Sequence, residues 1–334
     1  MNSFRTKEAI MTKAIRIYEN GGPEVLNWED VNVSKPGKGE VIIETRAVGL
    51  NFIDIYQRSG LYPVELPMTL GAEGAGIVIE LGPDVTNVRE GQRVAYSGGQ
   101  TGAYTEKRVI SADALIPLPD SIDYETAAAI TLKGLTCHML LFKCYKVQPN
   151  DTVLIHAAAG GVGSLLCQWA NYLGATVVGT AGGASKVEKA KRHGCEYVID
   201  YTVEDFAEKT KQITSNKGVP VVYDSVGKNT FEGSLDSLAN FGILVTYGNA
   251  SGPIEPISPL ELMRRGSLSI NRPTLFNYTS DMDVRASAAN DLFNAVSQGH
   301  LKIDIGQTFP LSKAAEAHRA LENRETVGST VLIP

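Results

Sequence analysis

VLIHAAAGGVGSLLCQWA, residues 153–170, is the stretch on which the reading of this chain turns. An apolar run leads into a burst of alanine and glycine, and apolar residues at helical spacing follow. The dinucleotide fingerprint is G-x-G-x-x-G between a strand and a helix. Its three places are held here by Ala158, Gly160 and Gly163, with an extra glycine at Gly161. Gly160 and Gly161 would let backbone approach a pyrophosphate, whose charge would rest on the N–H groups of a helix opening near Val162. Gly163 would permit close packing of helix on strand. Alanine at the first place is tolerable if its φ stays negative. Alone, the turn fits either a phosphate or tight packing without a ligand.

The flanking sequence decides between these. TVLIHA, TVVGTA, YVIDY, PVVYDSVG and GILVTYGN are β-rich runs separated by helix-like segments, and GSLSINRP reads as a sixth strand closed by Pro273. Strand alternating with helix is the signature of a doubly wound parallel sheet, and the turn follows its first strand. Before it, KAIRIYE, GEVIIETRAVGLN, GAGIVIELG, GQRVAYSG and AYTEKRVI are short strands cut by turn residues, which predicts a compact, barrel-like antiparallel domain. The pieces after 275 lack the strand–helix rhythm and are expected to return to that first domain. The fold class is thus α/β, with a barrel-like domain at 1–133 and 275–334 and a Rossmann cofactor domain at 134–274. Residues 1–10 are an expected extension.

At 334 residues the chain can bury two cores. Its formal net charge of −6, with no basic run, disfavours nucleic acid and anionic membranes as partners. No apolar run approaches the ~18 residues of a membrane span, and the polar start does not read as a signal peptide. Cys137, Cys144, Cys167 and Cys195 show no C-x-x-C spacing, so reduced thiols and a cytoplasmic location are expected.

The second strand of the parallel series selects the nucleotide. NAD-binding folds carry an acid there for the ribose hydroxyls, but VVGTAGGASK has none between Gly174 and Glu188. Gly182 and Gly183 leave room for a 2′-phosphate, Lys186 follows within reach, and Tyr201 is a third candidate contact. Lys186 could equally be a solvated helix lysine; the missing acid carries more weight, and the cofactor expected is NADPH.

GGPEVL, AVGLNFIDIYQRSGLYP, GAEGAG, LKGLT, HAAAGGVG, VVYDSVG and SINRP together resemble the zinc-free quinone oxidoreductases of the zeta-crystallin type. These belong to the medium-chain dehydrogenase/reductase superfamily, and the likeness is near to its bacterial NADPH:quinone oxidoreductases. It runs from 12 to 334. It implies a GroES-like catalytic domain beside the Rossmann domain, no metal, and a homodimer pairing GSLSINRP edges. Where zinc-dependent relatives place a Cys and a G-H-E triplet, this chain has Asn51 and Gly71-Ala72-Glu73. A catalytic zinc needs about three N, S or O ligands, and two are missing. A quinone takes up hydride or electrons without a hydroxyl proton to be removed first, so the site needs no Lewis acid.

Carried residue by residue, the resemblance implies that Asn51, Phe52 and Tyr56 line the nicotinamide and acceptor region, with Tyr56 either bonding a quinone oxygen or packing in the core. Thr131 would lie by the carboxamide. Gly160, Gly161 and Val162 would cover the pyrophosphate, and Gly182, Lys186 and Tyr201 the 2′-phosphate. Ser225, Gly248 and Asn249 lie at strand ends; Pro273, Thr274 and Leu275 would close over the nicotinamide, and Arg324 would add a phosphate contact. His156 ends an apolar strand and reads as a buried, hydrogen-bonded histidine. Two alternatives stay open: an NADPH-dependent enone or enal reductase, and a non-catalytic nucleotide-binding protein of this fold.

Overall fold

A computed structural model describes residues 10–334, so the expected extension lies outside the described residues except for Ile10. The chain forms two compact units: one runs to Leu132 and includes Ile305–Pro334, and the other is Lys133–Asp304.

In the first unit the long strand Glu40–Leu50 is central. Val41 and Ile43 alternate onto one face, and Val48 and Leu50 rejoin it after the irregularity at Thr45–Ala47, so that all four meet a core shared with Ile15, Ile17, Tyr96 and Leu332. Burying each such aliphatic side chain stabilises the fold by about 1.5–3 kcal/mol. Glu73–Leu81 pairs with it antiparallel on one side. On the other side Lys107–Ser111 covers its first half, and Ser329–Ile333 covers its last residues. Arg93–Ser97 and Ile116–Pro117 extend the sheet beyond Glu73–Leu81. Ile305–Pro310 lies parallel to Ser329–Ile333. A three-stranded sheet places Ile10–Ile17 between Asn27–Val33 and Met68–Thr69, and Ile15 N donates to Tyr104 O across to the larger sheet's loop.

The second unit is the doubly wound sheet. Its six strands are all parallel, in the order Tyr197–Asp200, Thr176–Ala181, Thr152–Ile155, Val219–Asp224, Leu238–Thr246, Ser269–Asn271. The order reverses beside Thr152–Ile155, and ligands of open α/β sheets bind at such a switch point, beyond the carboxyl ends of the strands.

Two expectations are corrected. The chain leaves the second unit after Asp304, not at 275, because helix Met282–Ser297 belongs to that unit. A Cβ on Gly134 would stand 2.4 Å from Leu292, and Asp291 Oδ2 lies 3.1 Å from His138 Nε2. Second, helix Tyr124–His138 continues through the π-helical turn Met139–Cys144. Together they form one segment long and apolar enough, by length and composition, to cross a membrane. Lys133 and scattered threonines disguised that length in the sequence. The segment is mostly buried in the protein, as a core helix is. The four cysteines are free, and Cys137, Cys167 and Cys195 are buried.

Candidate active site

The glycine turn lies where the first parallel strand meets helix Gly161–Tyr172, with Gly160 as the extended N-cap residue (φ −80°, ψ 176°). The first N–H groups of any helix lack intrahelical acceptors, and here those of Gly161, Val162 and Gly163 open at the carboxyl end of the sheet. A Cβ on Gly163 would stand 2.1 Å from Ala157 O, so this place excludes every side chain. The left-handed residue is Ala157 (φ 52°), one position ahead of the fingerprint, and Ala158 N donates to Thr180 O at 3.0 Å. Ala158 can therefore stand in the first glycine's place because the strained conformation falls on its neighbour.

At the end of the second strand the ring of Tyr201 lies against Gly182, whose Cβ would be 2.6 Å from Tyr201 Oη. Gly183 follows at φ +85°, ψ 153°, a conformation open to glycine, and starts the helix Ala184–Arg192 that bears Lys186. Asp200, ending the third strand, accepts from Gly183 N (3.1 Å), Thr202 N (3.0 Å) and Thr202 Oγ1 (2.6 Å). Those bonds, led by the Thr202 hydroxyl, hold its carboxyl below the usual range. The sequence reading missed this acid. It is used to fix the turn beneath Tyr201.

Ser225, Gly248 and Asn249 come together at the fourth and fifth strand ends: Ala250 N donates to Ser225 O at 3.2 Å, and a Cβ on Gly248 would meet the same carbonyl at 2.4 Å. Arg272 Nη1 donates to Gly248 O (3.4 Å), and with the Asn249 carboxamide turned, Arg272 Nη2 donates to its oxygen at 3.0 Å. Arg272 so ties the 248–249 loop to Pro273, Thr274 and Leu275, which open the short helix Leu275–Tyr278. Beneath them runs a buried network that sequence did not reveal. Asp224 accepts from Val226 N, Gly227 N, Thr230 Oγ1 and Ser234 Oγ at 2.7–3.0 Å. Ser234 Oγ is 3.0 Å from His156 Nε2, whose Nδ1 is 2.9 Å from Thr180 Oγ1. His156 is wholly buried, and that burial lowers its pKa. It is a structural histidine, as expected.

In the first unit, Asn51 opens helix Phe52–Ser59. Its Nδ2 donates to Glu73 Oε2 (2.9 Å) and Gly49 O (3.1 Å), and its backbone N–H to Asp54 Oδ2 (2.9 Å). Glu73 Oε1 accepts from Leu132 N at 2.6 Å. The buried carboxylate thus fixes Asn51 and the backbone beside Thr131 at once. The rings of Phe52 and Tyr56 are 6.0 Å apart on one helix face, and Tyr62 stands 5.1 Å from Tyr56. Thr131 is wholly buried, and its hydroxyl donates to Ala127 O at 2.7 Å. Arg324 is exposed in the turn after helix Ala314–Glu322, at φ 60°.

Two family models match: the alcohol dehydrogenase GroES-like domain over residues 37–120, and zinc-binding dehydrogenase over 193–332. A quinone oxidoreductase of Pseudomonas aeruginosa is 47% identical across 97% of this chain and 100% of its own. A 2-haloacrylate reductase of a Burkholderia species is 44% identical across 97% of this chain and 99% of its own. The crystal structure of Escherichia coli quinone oxidoreductase complexed with NADPH superposes with TM-score 0.95 at 44% identity, covering 96% of this chain and 100% of that one.

The zinc in the second model's name does not suit these residues. Glu73 is engaged by two N–H donors, one of them the Asn51 carboxamide, and Gly71 and Ala72 beside it have no ligating side chain. Among the described residues no three His, Cys, Asp or Glu are grouped to hold a metal ion. With identity sustained over nearly its whole length and the two-unit architecture to match, the chain belongs to the quinone oxidoreductase family of the medium-chain dehydrogenase/reductase superfamily.

Proposed function

We propose that the protein reduces quinones with NADPH. The observation that carries the nucleotide half is the end of the second parallel strand. It offers no acid to a ribose hydroxyl, Gly182 lies under the Tyr201 phenol, Lys186 stands in the next helical turn, and Asp200 is committed to Gly183. A 2′-phosphate suits that arrangement and a bare diol does not. The quinone half rests on the relatives named above.

Bound NADPH would supply the hydride or electrons. In the Lys133–Asp304 unit, Gly160, Gly161 and Val162 would bind the pyrophosphate on helix N–H groups, and Gly182, Lys186 and Tyr201 the 2′-phosphate. Ser225, Gly248 and Asn249 would support the dinucleotide at the strand ends. Pro273, Thr274 and Leu275, anchored through Arg272, would cover the nicotinamide and exclude water. In the other unit Phe52 and Thr131 would orient the nicotinamide, Asn51, its amide held by Glu73 and Gly49, would line the acceptor region, Tyr56 would donate to the acceptor's oxygen, and Arg324 would add a phosphate contact. Such groups act by positioning, which is the main demand when the cofactor carries the chemistry.

A second reading, reduction of an activated carbon–carbon double bond, is favoured by the 44% identical 2-haloacrylate reductase. Oxidation of NADPH and of NADH is to be followed with 1,4-benzoquinone, an α,β-unsaturated ketone and 2-chloroacrylate. Faster turnover of either unsaturated substrate than of the quinone overturns the first reading, and binding of NADPH without reduction of any acceptor makes the protein non-catalytic. We further propose a cytoplasmic homodimer. The strand Ser269–Asn271 is the sheet's edge within the chain, open to the same strand of a second copy. Light scattering on the purified protein gives the mass that decides it.

A further inference from the structure

Helix Phe52–Ser59 has eight residues, too few to hold its place by its own hydrogen bonds. Its two faces are used differently. Phe52 and Tyr56 share one face, whereas Asp54 and Arg58, also four residues apart, share the opposite one. The second face is buried: Asp54 is 0% and Arg58 2% exposed. Tyr104 Oη donates to Asp54 Oδ2 at 3.0 Å and lies 3.0 Å from His318 Nε2. His318 Nδ1 in turn is 2.9 Å from Arg58 Nη1. Arg58 pairs in a fork with Glu322, at 3.1 and 2.5 Å, and donates through Nε to Gly21 O at 3.1 Å.

Donor chemistry orients every link. A guanidinium only donates, so His318 Nδ1 accepts, Nε2 carries the proton and donates to Tyr104, and Tyr104 donates to Asp54. Burial, then the neighbouring Arg58 charge, push the His318 pKa down to about 3, so the ring is neutral as this pattern requires. Burial and the Asp54 carboxylate keep the Tyr104 phenol protonated. The bonds close a bracket: Asp54 to Tyr104 to His318 to Arg58, and back along one turn of the helix. A bracket gripping two residues one turn apart fixes the helix's rotation about its axis as well as its position. That rotation sets where the opposite face, Phe52 and Tyr56, points.

We infer that Tyr104 and His318 are positioning residues for the reaction, acting through the Asp54 and Arg58 face to aim Asn51, Phe52 and Tyr56 at the reactants. The inference rests on the reading under Proposed function, which gives those three residues their roles. Tyr104→Phe removes one hydroxyl and keeps the ring, so it preserves packing. We expect it to lower kcat with 1,4-benzoquinone about tenfold, the scale of a small misplacement, and to leave the NADPH dissociation constant unchanged. His318→Leu should lose a similar factor. The double variant should lose no more than either single one, since one bracket is broken in each case. His318→Gln, which can both accept from Arg58 and donate to Tyr104, should recover most of the loss.

An unchanged kcat in Tyr104→Phe, or losses that multiply in the double variant, would overturn the inference, as would a fall in thermal stability with no change in kcat. Should His318→Leu not fold, Tyr104→Phe and His318→Gln decide alone. Should the wild-type protein reduce no quinone, the proposed function fails instead. The bracket is then judged by amide exchange of Asn51 to Asp54: faster exchange in Tyr104→Phe supports it, and unchanged exchange overturns it.

Discussion

Asn51 Nδ2 donates to Glu73 Oε2 at 2.9 Å, so a helix-opening amide answers to a strand 22 residues further on. Because Glu73 also accepts from Leu132 N, one carboxylate sets the spacing of two chain segments. Glu73→Gln puts an NH2 group against one of these donors. Unfolding in urea should show a loss of about 1–3 kcal/mol, the cost of a buried donor left without its acceptor. An unshifted midpoint refutes that account.

Lys186→Ala should weaken NADPH far more than NADH, because only NADPH carries the 2′-phosphate. A charge-assisted hydrogen bond is worth roughly 1.5–3 kcal/mol, or about a tenfold to hundredfold rise in the NADPH dissociation constant. Fluorescence titration with both nucleotides measures it, and equal loss for the two removes Lys186 from the phosphate site.

Gly163 and Gly160 should part company. The Cβ of Gly163→Ala would lie 2.1 Å from Ala157 O, whereas that of Gly160→Ala would lie 3.2 Å from the same atom, at an ordinary negative φ. Gly163→Ala is expected to cost about 1–3 kcal/mol of stability through forced backbone movement. Gly160→Ala should leave thermal unfolding nearly unchanged and weaken NADPH. Matching stabilities for the two variants would contradict the packing argument.

His318 gives stability a pH dependence. Its pKa falls from 6.5 to about 3 on folding, so between those values the unfolded chain binds the extra proton. Its contribution is therefore full above about pH 6.5 and declines as the pH drops towards 3. The limiting slope is about 1.4 kcal/mol per pH unit for one proton. His156 is also lowered by burial and adds in the same direction. Melting of wild type and His318→Gln from pH 7 to pH 4.5 tests the share: the variant should lose stability less steeply. Parallel curves would show that His318 takes up no proton on unfolding.

The parallel sheet was legible because each of its strands is a local apolar run bounded by small residues, and the glycine turn announces where the series begins. Ala157 escaped notice since a left-handed alanine leaves no mark in composition. Helix Met282–Ser297 was assigned to the wrong unit for a similar reason: its amphipathic pattern says that it packs, not on what. The Asp224–Ser234–His156–Thr180 network and the Asp54–Tyr104–His318–Arg58 bracket join residues up to 260 positions apart. Periodicity within a window cannot register such pairs: His156 reads as buried from its strand, but Asp54, Arg58 and His318 look like surface residues until their partners are known. The missing acid after the second strand is legible in the sequence, whereas the role of Asp200 is not, because its donors are the backbone N–H groups of Gly183 and Thr202 and the Thr202 hydroxyl.

Helix Phe52–Ser59 and strand Glu40–Leu50 emerge early from the ribosome, while their partners His318, Glu322 and Ser329–Ile333 emerge near the end. The whole of Lys133–Asp304 is synthesised in between, with its sheet built entirely from its own strands. Assembly in vivo therefore has an enforced sequence: the nucleotide unit can close during translation, and the unit bearing Asn51 and Tyr56 waits for the last turns of polypeptide. A ribosome stalled just short of residue 318 should carry a folded, protease-resistant sheet behind an unfinished barrel.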